Sequence, residues 1–207
     1  MANSALMATS GQEVIDSVLA SPLAMVVTNP RRQDNPIEIA NDAFCTLTGY
    51  AEPEIIGRNC RFLAGEGTET WVSEQIRTAV RTHKAVLVDI LNYRRDGTPF
   101  RNGVMVTPLF DDSGELAYFL GSQVDLGIED PTALSVRQAR ASALVQGLPI
   151  RQREVLEAMA KGLLNKQIAH QLGIAEKTVK MHRALLLERL GVRTSAEAIR
   201  IAVEAGL

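Results

Sequence analysis

A single thiol in a basic setting is the first residue of this sequence that could do chemistry. Cys60 lies within residues 57–65, GRNCRFLAG, between Arg58 and Arg61 and three positions after a glycine. Nearby positive charge lowers the pKa of a thiol and favours thiolate chemistry. A small buried cysteine is also typical of such a short apolar turn, so the stretch alone leaves both interpretations open.

Three amide side chains provide a second, independent signal. Strands are predicted over residues 85–93, 99–110 and 116–124. Alternation along these strands puts Asn92, Asn102 and Gln123 each on an otherwise apolar face. A buried amide without a partner costs a few kcal/mol, on the order of 1–3. Three of them on consecutive antiparallel strands indicate a pocket for a ligand with several hydrogen-bonding edges.

Composition limits the class of protein. The chain has 207 residues, of which 46% are hydrophobic and 22% charged, enough for two modest soluble domains. We expect no membrane span and no signal peptide, because no long apolar run and no basic N-terminal region are present. Two cysteines without metal-type spacing predict neither a zinc site nor a disulfide scaffold, so we expect a cytoplasmic protein without a bound metal.

Charge divides the chain into an acidic front and a basic back. Residues 148–207 carry ten Lys or Arg and six Asp or Glu, a balance of +4, whereas residues 1–147 balance to −6. A basic surface of this kind favours contact with a polyanion, and a solvated surface explains it nearly as well.

Short helices and strands are predicted in the front half of the chain, before the three strands at 85–93, 99–110 and 116–124. Helices are predicted over residues 13–20, 41–48, 51–56 and 68–83, with Thr68 as the cap of the last, and strands over 23–28 and 37–40.

The back half is predicted to be helical throughout. A connecting helix covers residues 132–146, and four further helices cover 150–161, 165–172, 176–190 and 194–205. The tight turn at residues 173–175 is typical of a helix-turn-helix, with Asn165 as the cap of its first helix. The last helix is apolar on more than one face, so it needs a partner beyond its own small domain.

The front half resembles the LOV (light, oxygen or voltage) photosensors, a subfamily of PAS domains. The segments that carry the resemblance are GRNCRFLAG at 57–65, Thr68, Ile76-Arg77, Asn92-Tyr93, DGTPFRN at 96–102 and GSQ at 121–123. The resemblance implies an α+β fold in which a five-stranded antiparallel sheet has helices on one face and holds flavin mononucleotide (FMN) without a covalent bond in the dark. It also implies that blue light adds the thiol of Cys60 to C4a of the flavin, forming a photoadduct and protonating N5.

The resemblance assigns a role to each further site residue. Gln123 would hydrogen-bond O4 and N5 and relay the signal, and Asn92 and Asn102 would read the pyrimidine edge. The other implied cofactor contacts are Arg61 and Arg77 on the phosphate, with Asn59 and Phe119 lining the pocket. Ala64 stands where many members have Gln beside the ribityl chain, which alters the expected flavin affinity and adduct lifetime.

The back half resembles the LuxR-type (GerE/NarL) DNA-binding domain. The segments that carry this resemblance are LPIRQREVL at 148–156, GLLNKQIA at 162–169 and EKTVKMH at 176–182. It implies an all-α domain of four helices, the third in the major groove of double-stranded DNA and the fourth forming a homodimer. By position in the motif, Lys180, Met181 and Ala184 would face base edges, and Asn165, Lys166, Lys177, Thr178 and Arg183 would touch or approach phosphates.

Four positions depart from the usual LuxR-type pattern. Pro149, Leu164 and Ala175 stand where hydroxyl residues are usual, and a missing cap at Ala175 costs about 1 kcal/mol of helix stability. Ala184, where some members have a longer polar residue, implies fewer base contacts.

Together the two resemblances predict a blue-light-regulated transcription factor that is not an enzyme. Its parts would be a sensor at 13–126, a linker helix at 127–147 and a DNA-binding domain at 148–207. In the dark the sensor sheet would cover the last helix and keep the chain monomeric, and in the light the chain would form a homodimer on DNA. A flavin redox sensor acting on the same DNA-binding domain is the main alternative. A flavin oxidoreductase and a phosphorylated LuxR-type regulator are the others.

Overall fold

The computed structural model describes residues 9–111, 113–127 and 133–207. Within that part, five strands and nine α-helices form a front region that contains the sheet and a helical back region that packs on one face of that sheet. The front elements are α1 (Thr9–Leu19), β1 (Ala24–Thr28), β2 (Ile37–Ala40), α2 (Asp42–Thr48), α3 (Glu52–Ile55), a 3-10 turn (Cys60–Leu63), α4 (Thr70–Arg81), β3 (Val86–Tyr93), β4 (Pro99–Phe110) and β5 (Leu116–Asp125). The remaining helices are α5 (Ala133–Gln146), α6 (Ile150–Ala160), α7 (Asn165–Leu172), α8 (Glu176–Leu190) and α9 (Ser195–Glu204).

The strands form one antiparallel sheet in the order β2-β1-β5-β4-β3. Its register puts Ile90 opposite Asn102, and Val104 opposite Gln123. The predicted α+β fold is therefore confirmed, and the three amide-bearing strands lie side by side with their amides on one face.

The two faces of the sheet pack against different parts of the chain. The inner face is covered by α2 and α3 beside β1 and β2 and by the 3-10 turn and α4 farther along the sheet. The 3-10 turn, α4 and the loop after β1 enclose a cavity against the sheet. The outer face joins the helices of the back region in one continuous apolar core, in which Met105 and Leu120 of the sheet pack with buried residues of α6, α8 and α9. A single sheet thus separates the cavity from the helical region.

Local capping sets several helix boundaries. Asn41 follows β2 in an extended conformation and is the N-cap of α2. Its Oδ1 accepts a hydrogen bond from the Phe44 amide at 3.0 Å. The Thr194 hydroxyl accepts from the Glu197 amide at 3.3 Å, so the predicted cap residue begins α9. The Glu197 carboxylate accepts from the same hydroxyl at 2.6 Å.

Two predicted caps were wrong. Glu69, not Thr68, precedes α4, because the Thr68 hydroxyl is engaged in holding the loop through the Gly65 amide at 2.9 Å and the Leu91 carbonyl at 2.7 Å. Asn165 is the first residue of α7 rather than its cap, because its side chain accepts a hydrogen bond from Arg183 in α8.

Most other boundaries agree with the sequence to within a residue or two. The larger difference is α1, which begins at Thr9 instead of residue 13. Helix α4 ends at Arg81, two residues before the predicted end, and His83 beyond it adopts a positive φ of 53°. The predicted start of the linker helix, Thr132, lies outside the described residues, as does the rest of 128–132. In the described part of the chain, no helix combines the length and the apolar character needed to cross a bilayer.

Candidate functional site

A cavity of about 640 Å³ lies between the inner face of the sheet and the helices that cover it. All eight residues predicted to bind or react with a cofactor line this one cavity: Asn59, Cys60, Arg61, Arg77, Asn92, Asn102, Phe119 and Gln123. Ala64, the departure from the usual pattern, also lies on its wall. The fold therefore brings together residues that are up to 64 positions apart, from Asn59 to Gln123.

The three predicted amides form the polar part of an otherwise apolar wall. Asn102 donates from Nδ2 to Oδ1 of Asn92 at 2.9 Å, and Asn92 donates to the carbonyl of Leu91 at 3.1 Å. The side-chain oxygens of Asn102 and Gln123 are buried and have no hydrogen-bond partner among the described residues. Because buried polar groups are nearly always paired, these two oxygens point to a ligand that carries hydrogen-bond donors.

A glycine beside Gln123 keeps that end of the cavity open. A Cβ at Gly121 would lie 2.9 Å from a methyl group of Val26 and 3.4 Å from Nε2 of Gln123. Any larger residue would therefore push on the amide or on β1. Gly121 lies two positions before Gln123 and therefore on the same face of β5, but its tight packing depends on the neighbouring strand β1.

Cys60 opens the 3-10 turn and faces the cavity. The turn is held by Asn59, whose Oδ1 accepts from the Arg61 amide at 3.1 Å and whose Nδ2 donates to the Asp34 carbonyl at 2.6 Å. Burial raises the pKa of the Cys60 thiol to about 12. The group is therefore a neutral thiol at physiological pH.

The expectation that the flanking arginines lower this pKa was wrong. The guanidinium of Arg58 lies over the ring of Phe62, 4.3 Å from its centroid. Arg61 forms an exposed ion pair with Asp34. Both guanidinium groups interact with other side chains, so burial is the main influence on the pKa of the thiol.

A group of cationic side chains borders the cavity on the side of Arg61 and Arg77. Arg77 forms an ion pair with Glu74 at 2.9 Å. Arg32 and Arg81 line the same cavity and were missed from sequence. Arg81 could have been found, since it lies one helical turn after Arg77 on α4, whereas nothing in the sequence places the loop residue Arg32 here.

The second predicted site lies on α7 and α8, where several side chains share an exposed surface. The exposed members of the predicted DNA-contacting set are Lys166, Lys177, Lys180, Met181 and Ala184, and Thr178 is half-buried. Val179, Leu186 and Leu190 of α8 are buried on the other side of that helix. Helix α8 is thus packed on one face and open on the other.

Two predicted phosphate contacts have a different place in the structure. Asn165 is buried, with 6% of its surface exposed, and it accepts a hydrogen bond from Arg183. The same guanidinium donates to the Ser195 hydroxyl at 2.7 Å. Arg183 therefore ties α8 to the starts of α7 and α9, which is a structural role that the sequence did not indicate.

Two groups of hydrogen bonds join the back region to the sheet, in addition to their shared apolar core. Arg200 of α9 donates to the Ser122 hydroxyl of β5 at 2.7 Å. Near the far end of β4, the Phe110 amide donates to the Gly162 carbonyl at 3.3 Å, and Gln167 of α7 donates to the Asp111 carbonyl at 2.9 Å. The surplus apolar surface of α9 is accordingly buried in a core shared with the sheet.

Comparison with known proteins identifies both regions. A family model described as "PAS domain" matches residues 22–127, just over half of the chain, and a model described as "Bacterial regulatory proteins, luxR family" matches residues 146–202. The chain therefore belongs to the PAS domain family. Its PAS domain is of the LOV kind and is followed by a LuxR-type helix-turn-helix domain, as predicted.

Individual relatives support the LOV assignment. A blue-light-activated histidine kinase of Brucella anthropi is 42% identical over 139 residues, which are 63% of this chain and 28% of the kinase. The solved LOV domain of the Erythrobacter litoralis EL346 blue-light activated histidine kinase is 38% identical and covers 52% of this chain and 98% of its own, with a TM-score of 0.50. A structure described as "Flavin Analogue Sheds Light on Light-Oxygen-Voltage Domain Mechanism" is 33% identical and covers 61% of this chain and 94% of its own, with a TM-score of 0.56.

The match to the kinases is confined to the sensor. This chain spans between a quarter and a third of the length of three related blue-light-activated histidine kinases, from Brucella anthropi, Erythrobacter litoralis and Brucella canis, and only its LOV part is shared with them. The combination of a LOV blue-light sensor domain with a LuxR-type DNA-binding domain is a transcription-factor architecture.

Proposed function

We propose that this chain is an FMN-binding blue-light receptor that controls its own DNA-binding domain. The observation that carries the proposal is that one sheet has the cofactor cavity on its inner face and α9 on its outer face. A change on the cavity side therefore needs to cross only the thickness of β5 to reach α9.

The cavity residues fit a flavin. A flavin offers a planar ring whose N–H and carbonyl groups complement the amides of Asn92, Asn102 and Gln123, two of which have buried oxygens without partners among the described residues. When bound and excited by blue light, it supplies an electrophilic carbon, C4a, with which the Cys60 thiol can form a bond. Cys60 would supply the sulfur and a proton, and Gln123 would accept or donate a hydrogen bond at N5.

The phosphate is assigned to the basic side chains at the border of the cavity. Arg61 and Arg77 are exposed enough to turn from Asp34 and Glu74 toward a phosphate. A guanidinium pairs well with a phosphate dianion through two parallel hydrogen bonds. Arg32 and Arg81 add to this positive surface, which suits a phosphate group such as that of FMN.

The output is binding of double-stranded DNA in the cytoplasm by α7 and α8. We infer that the chain is monomeric in the dark, with α9 held on the sensor, and forms a homodimer through α9 in the light. Residues 13–126, 127–147 and 148–207 would act as sensor, linker and DNA-binding domain. The covered apolar face of α9 supports this order of events.

An absorption spectrum before and after a blue flash, for wild type and for Cys60→Ala, tests the sensor half of the proposal. We expect a flavin band that bleaches and recovers in the dark for wild type and does not bleach for the variant. Fluorescence anisotropy with a pool of random-sequence duplexes, in light and in darkness, then tests the output. A light response that persists in Cys60→Ala, or one produced equally by chemical reduction in the dark, would favour the redox sensor instead.

A further inference from the structure

A buried cation lies at the contact between α9 and the sensor sheet. Arg200 is 1% exposed, the largest of the fully buried side chains among the described residues. Its guanidinium donates to the Ser122 hydroxyl at 2.7 Å and to the Gly103 carbonyl at 3.2 Å. Both acceptors belong to the sheet, so Arg200 crosses the boundary between the two regions.

The charge of Arg200 is only partly compensated by its neighbours. Nε donates to Oε1 of Glu204 at 2.7 Å, and the same oxygen also accepts from Arg137 of α5 at 2.9 Å. One carboxylate thus serves two guanidinium groups. Burial lowers the pKa of Arg200 to about 10, while Glu204 acts in the opposite direction, so the side chain is still charged at neutral pH.

Taking a cation out of water is unfavourable unless every N–H group finds an acceptor. When α9 leaves the sheet, Arg200 regains water and Ser122 loses its donor. The free energy of docking therefore depends on acceptors that the sheet supplies, and Ser122 is the side-chain acceptor among them.

The position of Ser122 links this contact to the cavity. Ser122 and Gln123 are consecutive on β5, so their side chains lie on opposite faces. Gln123 lines the cavity, and Ser122 meets Arg200. Any movement of β5 that accompanies reorientation of Gln123 moves the Ser122 hydroxyl as well.

We propose that Arg200 and Ser122 form a polar latch that makes docking of α9 conditional on the position of β5, with the buried charge of Arg200 keeping the docked state weak enough to open. This inference rests on the proposed function for its role in signalling. The latch itself is a property of the dark state, and it can be tested without light.

The direct test is Ser122→Ala in the intact 207-residue chain, kept in the dark. Loss of the acceptor leaves a buried guanidinium N–H unpaired, so we expect the population of undocked molecules to rise about 5- to 100-fold. Hydrogen exchange of the Phe110 amide measures this opening, because that amide donates across the domain boundary to Gly162 and exchange of such a group scales with the open population. Dark-state affinity for a random-sequence duplex pool should rise in parallel.

Thr107→Val is the matched control. Thr107 is fully buried on the outer face of β4, opposite Leu120, and its hydroxyl has no hydrogen-bond partner among the described residues. Removing that hydroxyl takes away an unpaired polar group and breaks no hydrogen bond of the described residues, so Phe110 exchange should be no faster than in wild type. Equal exchange in Ser122→Ala and Thr107→Val would overturn the latch, provided that the flavin spectrum shows an intact cavity in both.

Arg200→Met supplies the second arm, since it removes the charge, keeps the length of the side chain and leaves Glu204 paired with Arg137. Replacing a buried charge with an apolar group is often neutral or stabilising, so exchange at Phe110 should be no faster than in wild type. Ser122→Ala should then have no further effect in the Arg200→Met background. An unchanged Ser122→Ala effect in that background, or faster opening in Arg200→Met alone, would overturn the proposal. If light proved to have no effect on DNA binding, the proposed function would fail while these dark measurements still decided the latch.

Discussion

The Asn102 side chain donates its amide hydrogen to Oδ1 of Asn92 at 2.9 Å, across neighbouring strands of the sheet. This bond fixes the orientation of both amides, so that Oδ1 of Asn102 is buried without a partner among the described residues. The pair is therefore arranged before a ligand binds. Preorganised polar groups of this kind give a binding site its specificity, because no reorientation is needed on binding.

Asn102→Leu should weaken flavin binding. The replacement has similar volume but offers no acceptor to the ligand and no donor to Asn92, whose Oδ1 would lose its hydrogen-bond partner. We expect the dissociation constant of FMN to rise about 10- to 100-fold, measured by quenching of flavin fluorescence on titration of the apoprotein. Ile90→Val, which alters the residue opposite Asn102 on the same face, is the control and should change the constant by less than about fivefold. An equal rise of the dissociation constant in both variants would mean that the Asn102 amide contributes to flavin binding only by filling space.

The Cys60 thiol should be almost unreactive in the dark. A thiol with pKa raised to about 12 by burial remains protonated until strongly alkaline pH, and only the thiolate is alkylated. In a Cys45→Ser background, iodoacetamide should modify Cys60 about 1000-fold more slowly at pH 7 than an unfolded cysteine with an ordinary pKa. The rate should rise about tenfold per pH unit between pH 8 and pH 10, and modification should become fast in urea. Rapid labelling of the folded protein at pH 7 would show that the neighbouring arginines, and not burial, control the thiol.

The amide-bearing face of the cavity could be predicted from the sequence because alternation along a strand is a local property. Asn92, Asn102 and Gln123 needed only correct strand limits, and hydrophobic patterning supplied those. The surplus apolar surface of α9 was equally visible, since a helix that is apolar on several faces must be covered.

The charged residues could not be predicted in the same way. Arg58 and Arg61 lie within two positions of Cys60 in the chain, but their guanidinium groups contact Phe62 and Asp34. Asn165 has the residue type of a helix cap, yet its side chain is taken by Arg183, 18 positions later. Long side chains find partners through the tertiary fold, which local spacing does not encode.

Gln167→Glu should loosen the second contact between the two regions. Oε1 of Gln167 accepts a hydrogen bond from the Leu164 amide at 2.8 Å. Its Nε2 donates a hydrogen bond to the Asp111 carbonyl at 2.9 Å. Glutamate keeps the cap and, at a helix N-terminus, gains from the helix dipole. It has no hydrogen to donate, so it would place a carboxylate oxygen against the carbonyl. Hydrogen exchange of the Phe110 amide in the dark should rise about 2- to 10-fold.

Gln167→Ala separates the two roles of this residue. It removes the cap as well as the donor, so it should open the contact to a similar degree and also lower the melting temperature, whereas Gln167→Glu should not. If Gln167→Glu left Phe110 exchange at the wild-type value, the bond to Asp111 would contribute nothing to docking.

Lys177→Gln should reduce the salt dependence of DNA binding. Lys177 is exposed in the first turn of α8, on the surface that also carries Lys180 and Met181. Each phosphate contact releases counterions, so loss of one lowers the slope of log K against log salt by about 0.9. Affinity should fall by a similar factor for all duplexes in a random pool, because a phosphate contact carries no sequence information. Arg193→Gln is the charge-matched control, since Arg193 is exposed beyond the C-terminal end of α8, roughly 20 Å along the helix from Lys177. An equal loss of slope in both variants would indicate a general effect of net charge, and Lys177 would then have no direct contact with the DNA backbone.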